Sequence, residues 1–420
     1  MRHVIIATII TLLAMSPCIA EEPTIALPHD QEAFFKSHQH SIELRLELHK
    51  NNIDTISPAI GQLKGLRSIA LIIPGYAAHF RHGVIIQPTR DDVTIPAALL
   101  NLPNLRTLEV YGPLNLHLPP MTTIRIQSHI EQVIATYWNR NSISFLGVLP
   151  LHQLILREGQ GAELPVGFDQ LHNLRELQIE GNSEPLAVSE SLCGFTNLER
   201  LELSTPLQSP LPRCLERLTY LKSVAMVSCR QESLPDKTKI YFPIALASLP
   251  NLEELTLWDI GRVEMPTTAY GLKKLQKLNV AKYKNRDIYR ICSKQQTNNV
   301  GESNFDKIDL DNVIDYPELQ KITVNADIIF KGSTMKIAND FDCDPVYGVR
   351  RFMGIIDAAW KKGKLPSLKQ IDMWDRDNGD MNTIIVWRRP LSRDKSGAMF
   401  PKHDVNWMLK KEREKASSWQ

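Results

Sequence analysis

A few short clusters in this 420-residue chain carry the side chains from which reactive or metal-binding centres are built. His79-Phe80-Arg81-His82 offers two imidazoles, but Arg81 stands between them, and a solvated loop is the expectation. Asp375-Arg376-Asp377-Asn378-Gly379-Asp380 is rich in oxygen ligands yet lacks the Asp-Gly order and distal Glu of a calcium loop. Asp340, Asp342 and Asp344 around Cys343 are a similar case. The chain has no H-E-x-x-H, G-x-S-x-G, P-loop or G-x-G-x-x-G. Neither catalysis nor a metal or cofactor is therefore expected. The chemistry left is recognition. Tyr111, Arg157, Glu180, Glu202, Trp258, Asn279 and Trp374 fall between or just after the two inward apolar positions of a periodic pattern. Aromatic and arginine side chains dominate protein interfaces. The Glu-rich middle of the set favours a basic partner and fast encounter with it.

The pattern that positions these residues is a 23-residue unit, apolar-Pro-x-x-apolar-x-x-Leu-x-x-Leu-x-x-Leu-x-Leu. Its cleanest copies start at Leu164-Pro165, Leu211-Pro212 and Met265-Pro266. Strand cores are predicted to begin at Leu66, Leu105, Met121, Leu151, Leu174, Leu198, Leu221, Leu252, Leu275, Leu319 and Leu368, after a degenerate first unit at Leu46/Leu48. The Leu-x-Leu core alternates with period two, so both apolar residues share one side of a short strand. The run before it has a period near three, which fits a turn of α or 3₁₀ helix. Proline ahead of that run suits a helix start, where a missing N–H costs little. One unit cannot bury its apolar edge alone, whereas stacked units share a continuous core.

Over roughly residues 42–376 the pattern resembles the leucine-rich repeat family. The resemblance implies an α/β solenoid, a curved horseshoe with parallel strands on the concave face and short helices or irregular segments on the convex face. It also implies a family whose usual work is protein recognition. The family's Asn or Cys, eight residues after the first strand Leu, appears at Asn182, Cys229 and Asn51. Most other units place Pro, Gly or a charged residue there, so the loops are expected to need other hydrogen-bond partners.

Residues 1–20 read as a signal peptide cut after Ala20, with Arg2 as the basic start and Val4 to Met15 too short to span a bilayer. Lipidation at Cys18 stays open beside that reading. Residues 21–41 are expected to cap the array, with a short helix within His29 to Gln39. The repeat domain is assigned to 42–385, with insertions at about 74–94, 127–148, 283–309 and 331–363. Residues 386–420 carry nine Lys or Arg against four Asp or Glu and form a basic C-terminal cap or tail. The formal net charge of +2 gives no pull toward nucleic acid. Export implies an oxidising compartment for Cys193, Cys214, Cys229, Cys292 and Cys343. Cys193 and Cys214 lie two positions out of register in adjacent units, and a bridge between them is left open. The absence of any Asn-x-Ser/Thr acceptor favours a bacterial source.

The expectation is thus a secreted or periplasmic, monomeric, non-enzymatic scaffold that grips a protein or peptide, basic in character, on its concave face. Membrane contact would come only through the basic tail or Cys18. Two alternatives stay open: an exported enzyme with a site in the 283–363 insertions, and an envelope-anchored structural component or lipoprotein.

Overall fold

The Leu-x-Leu cores become strands that pair one period apart, Gln153 with Glu176 and Glu254 with Lys277, so the sequence period is the sheet register. The computed structural model describes residues 24–48, 53–72, 91–112, 114–118, 126–182, 184–188, 190–208, 211–227, 239–241, 246, 248–258, 262–264, 272–281, 318–325, 366–377 and 380–388. Residues 1–20 with Cys18, His79 and His82, the segments 283–309 and 331–363, Cys229, Cys292, Cys343 and residues 389–420 lie outside them. The chain divides into two units, residues 1–151 with 165–167, and residues 152–164 with 168–420.

In the first unit, the described strands are β1 (Ile25–Ala26), β2 (Glu43–Glu47), β3 (Ser68–Ile72), β4 (Asp91–Thr94), β5 (Thr107–Tyr111), β6 (Leu114–His117) and β7 (Gln132–Thr136). They form a parallel sheet in the order β1-β2-β3-β5-β7, with a side pair β4-β6. Strand residues alternate between core and solvent: Leu44/Leu46, Leu108/Val110 and Val133/Ala135 are buried while the residues between them are not. Helix α1 (Gln31–Ser37) lies within the segment expected to cap the array. Asp30 caps it by accepting the Ala33 N–H, and Phe35 is fully buried. The Gln31 side chain donates to the Thr55 carbonyl at 2.9 Å and accepts the Ser57 N–H at 2.7 Å, which ties the helix to the first coil. A second helix, α2 (Ala97–Leu100), follows Ile95-Pro96 as the proline suggested.

One expectation fails here. Residues 127–148, read as an insertion, contain β7, which pairs with β5 in the main ladder. The repeat core at this point is Ile130/Val133/Ala135, all buried; the core expected at Met121 lies outside the described residues. Met121-x-x-Ile124-x-Ile126 fits the template as well as Ile130-x-x-Val133-x-Ala135 does. The pairing of β7 with β5, which sequence spacing does not report, places the second of these in the ladder.

In the second unit the described strands are β8 (Gln153–Arg157), β9 (Glu176–Glu180), β10 (Arg200–Ser204), β11 (Ser223–Val227), β12 (Lys239–Tyr241), β13 (Glu254–Trp258), β14 (Arg262–Glu264), β15 (Lys277–Ala281), β16 (Lys321–Asn325), β17 (Gln370–Asp377) and β18 (Asp380–Arg388). The sheet runs β8-β9-β10-β11-β13-β15-β16-β17-β18, with β12-β14 as a side pair. Pairing is parallel until β17, where β18 turns back antiparallel. Asp375, Asp377 and Asp380 of the acidic run lie at the end of that hairpin. The boundary drawn at 385/386 falls inside β18. Short 3₁₀ segments cross behind β9 to β11 at Phe168–Gln170, Glu190–Gly194 and Arg213–Arg217. Phe168 and Phe195 meet edge to face at 4.9 Å, and Cys193 and Cys214 are joined by a disulfide. A shift of two positions proves no obstacle, since the Cα atoms are 5.6 Å apart, within normal reach of the bond.

The missing asparagine ladder after the strands is replaced by one before them. The amides of Asn104, Asn197 and Asn251 each donate to a carbonyl of the preceding coil, at Lys64, His172 and Thr219, over 2.7, 3.0 and 2.7 Å. Each precedes the first Leu of its unit. Asn182 alone of the family-type positions is described, donating to the Gly161 carbonyl at 2.7 Å. Architecture and register together make this a leucine-rich repeat solenoid fold.

Candidate functional site

In β2, β3, β5 and β7 through β11 the second and fourth residues are buried in the core, so the first, third and fifth form rows on the opposite face. In the second unit the third-position row pairs Ile155, Gln178, Glu202, Ala225, Thr256, Asn279, Thr323 and Asp372 in register. The fifth-position row begins Arg157, Glu180, Ser204. Parallel strands lie about 4.8 Å apart, which fixes the spacing of these side chains before any rotamer is chosen.

Three of the expected site residues meet at β8 to β10. Arg157 Nε lies 3.5 Å from Glu180 Oε2, and Arg200 Nη2 lies 3.4 Å from Glu202 Oε2. Gln178 donates its amide to Glu180. Just past the strand ends, Glu158 adopts a left-handed backbone (φ 52°) and Gly181 does the same (φ 65°). The Glu158 carboxylate sits so near Gly181 that an added Cβ would come within 3.0 Å of Oε1. Glycine is needed there both for its φ and for that approach.

Glu202 is the unusual member. It stands on the solvent-side row, yet its side chain is 2% exposed and Oε1 accepts no hydrogen bond. Burial raises its pKa above the usual carboxylate value, Arg200 opposes the rise, and Glu180 adds to it. Glu158 is shifted upward too, by burial and then by Glu180. In contrast, the hydrogen bond from Lys222, at 2.8 Å, lowers the pKa of Glu199 nearby. Buried hydroxyls at Ser204 and Thr205 also lack partners. The cluster thus holds unpartnered groups of both kinds, the Glu202 Oε1 acceptor and the buried Arg157 Nε–H donor, with two hydroxyls that can act as either.

The remaining expected residues stay apart from this cluster. Asn279 lies three strands along from Glu202, roughly 14 Å at normal strand spacing, and donates to Thr256 Oγ1 at 3.1 Å. Trp258 is paired with Val227 and Ala281, and Trp374 with Asn325 and Thr383, so both hold fifth-position register sites; their side chains lie outside the described residues. Tyr111 belongs to the first unit, where the Arg45 guanidinium lies 5.7 Å from its ring centroid and 3.8 Å from Glu109. The sequence reading did not single out Glu158, Gln178 or Arg200 as site residues. The Arg200-x-Glu202 spacing, two residues on one strand face, was the available signal for the last. Among the described residues no group of His, Cys, Asp or Glu is arranged to hold a metal ion, and no helix is long and apolar enough to cross a membrane.

No protein-family profile matches the chain, and no curated protein matches its sequence. Among solved structures it is similar to a leucine-rich repeat protein of Leptospira interrogans, at 16% identity over 84% of this chain and 89% of that one, with a TM-score of 0.42. It is also similar to the internalin InlF of Listeria monocytogenes, at 14% identity over 71% and 78%, TM-score 0.36. A third likeness is to the internalin InlC2 of the same organism, at 19% over 50% and 78%, TM-score 0.34. The fold assignment stands on the chain's own strand register.

Proposed function

We propose that this protein is an exported, non-enzymatic recognition scaffold that binds a protein or peptide, basic in character, on the concave face of its repeat sheet. The observation that carries this reading is that Arg157, Gln178, Glu180, Glu202, Thr256 and Asn279 stand in register on β8 to β15, their spacing already fixed by the ladder. Side chains held in place before binding lose little freedom on association. Acidic residues lead the row's chemistry: Glu176, Glu180, Glu199, Glu202, Glu253 and Glu254 all belong to β9, β10, β13 or the residues adjoining them. Export through a signal peptide, a monomeric state and ligand roles for Tyr111, Trp258, Asn279 and Trp374 belong to the same proposal. The disulfide between Cys193 and Cys214 supports an oxidising compartment.

The test is affinity capture with the chain lacking residues 1–20, followed by mass spectrometry and a binding titration with the recovered partner. Glu180→Lys with Glu254→Lys should weaken that titration at least tenfold while circular dichroism stays unchanged. An affinity that survives both reversals would remove the acidic face from the account.

A further inference from the structure

A carboxylate withdrawn from water needs hydrogen-bond donors, and an unmade bond to a charged acceptor is costly. Glu202 has one donor, Arg200, at the long distance of 3.4 Å, and its Oε1 has none. The other guanidinium of the cluster, on Arg157, is no better engaged. Its Nε is buried, makes no hydrogen bond, and stands 3.5 Å from Glu180. Neither arginine forms the paired two-bond contact that guanidinium and carboxylate prefer. Glu180 stands electrostatically between Glu158 and Glu202, and the two guanidiniums are paired with Glu180 and Glu202. The hydroxyls of Ser204 and Thr205 are unpartnered as well and can accept from an incoming N–H. What would complete this arrangement is a cation that carries several N–H groups. A bare metal ion is a poorer fit, because the described acidic residues are not spaced to surround one.

We propose that Glu158, Glu180 and Glu202 form a socket for a single guanidinium or ammonium side chain of the partner. The proposal rests on the reading of this face as a partner surface and names the chemical group that the face selects. Arg200, 46% exposed, is the side chain that moves aside into solvent when the incoming cation takes its place on Glu202. Ser204 is in register with Glu180, and the small side chain of Ala225 is in register with Glu202.

The experiment titrates the full chain with a tetra-arginine peptide and with its tetra-citrulline counterpart, at physiological salt. The arginine peptide should saturate, and the uncharged one should bind at least tenfold more weakly. Glu202→Gln and Glu180→Gln should each weaken the arginine peptide at least tenfold, with unchanged melting behaviour or, for Glu202→Gln, a higher Tm. Glu180, 20% exposed, carries the test if the Glu202 variant fails to fold. Thr256→Arg, on the same row two strands away, separates the two ideas. Loss of binding with Thr256→Arg but not with the glutamine variants would overturn the socket and spare the face; no effect from any variant would overturn both. Equal binding of the citrulline peptide would also overturn the socket, as would Glu202-dependent binding of calcium without binding of the arginine peptide.

Discussion

Opening the Cys193–Cys214 bond should destabilise the second unit by an amount set by the loop it closes. The two residues are 21 apart in sequence, and the loop contains β10. The chain-entropy relation for a loop of this length gives roughly 11 cal/mol/K, or about 3 kcal/mol at 25 °C. With a urea slope of about 2 kcal/mol/M, the midpoint should fall by about 1.5 M on reduction. Coils of a repeat array interact chiefly with their neighbours. Amide exchange should therefore rise in β9, β10 and β11 first. The assay is urea unfolding followed by circular dichroism, with and without reductant, beside Cys193→Ser/Cys214→Ser. The double variant should match the reduced protein and should not respond further to reductant. A midpoint that stays put after alkylation has shown both thiols open would refute the loop argument.

Three further outcomes test the packing and the electrostatics. Glu202 has a folded pKa raised above its unfolded value, so its contribution to stability is fully present below the unfolded pKa and is lost as pH rises through the folded one. The groups that face it are Arg200, Glu180 and Arg157. Glu202→Gln should accordingly melt above the wild type at pH 8 and lose that advantage by pH 4; an equal gap at both would count against the burial of charge. Leu201, fully buried between neighbouring coils, should cost about 3 kcal/mol as Leu201→Ala, read as a fall in urea midpoint. Gly167→Ala meets both a positive φ of 79° and the Gly147 backbone nitrogen at 2.8 Å. It should destabilise by about 2 kcal/mol, whereas Gly161→Ala, with nothing within 4 Å of the added carbon, should be near neutral by the same measurement.

The strand ladder was legible because one physical rule governs both sequence and structure. A parallel pair needs equivalent residues one coil apart, and the recurrence of Leu-x-Leu reports that directly. Where two segments satisfied the rule, as at Met121 and Ile130, spacing could not choose between them. The hairpin of β17 and β18 escaped for a different reason: its Ile384-Ile385-Val386 run carries no coil period. The candidate site was half legible. Alternation placed Arg157, Glu180 and Glu202 on one face, but Glu202 was taken for a solvent-facing residue. Its in-register neighbours, Gln178 and Ala225, lie on two other coils, and no single unit contains them. Asn104, Asn197 and Asn251 were visible as Asn-Leu pairs, yet their hydrogen bonds depend on carbonyls 25 to 40 residues earlier.

The reversal at the tip between Asp377 and Asp380 bears on how such a molecule can lengthen or shorten over evolutionary time. Duplicating or deleting a coil between β8 and β16 keeps every later strand running the same way, so the ladder closes over the change. A copy placed after β18 would arrive pointing the wrong way beside a strand that already runs backwards. The number of coils ahead of the hairpin is therefore free to drift without disturbing the antiparallel pair.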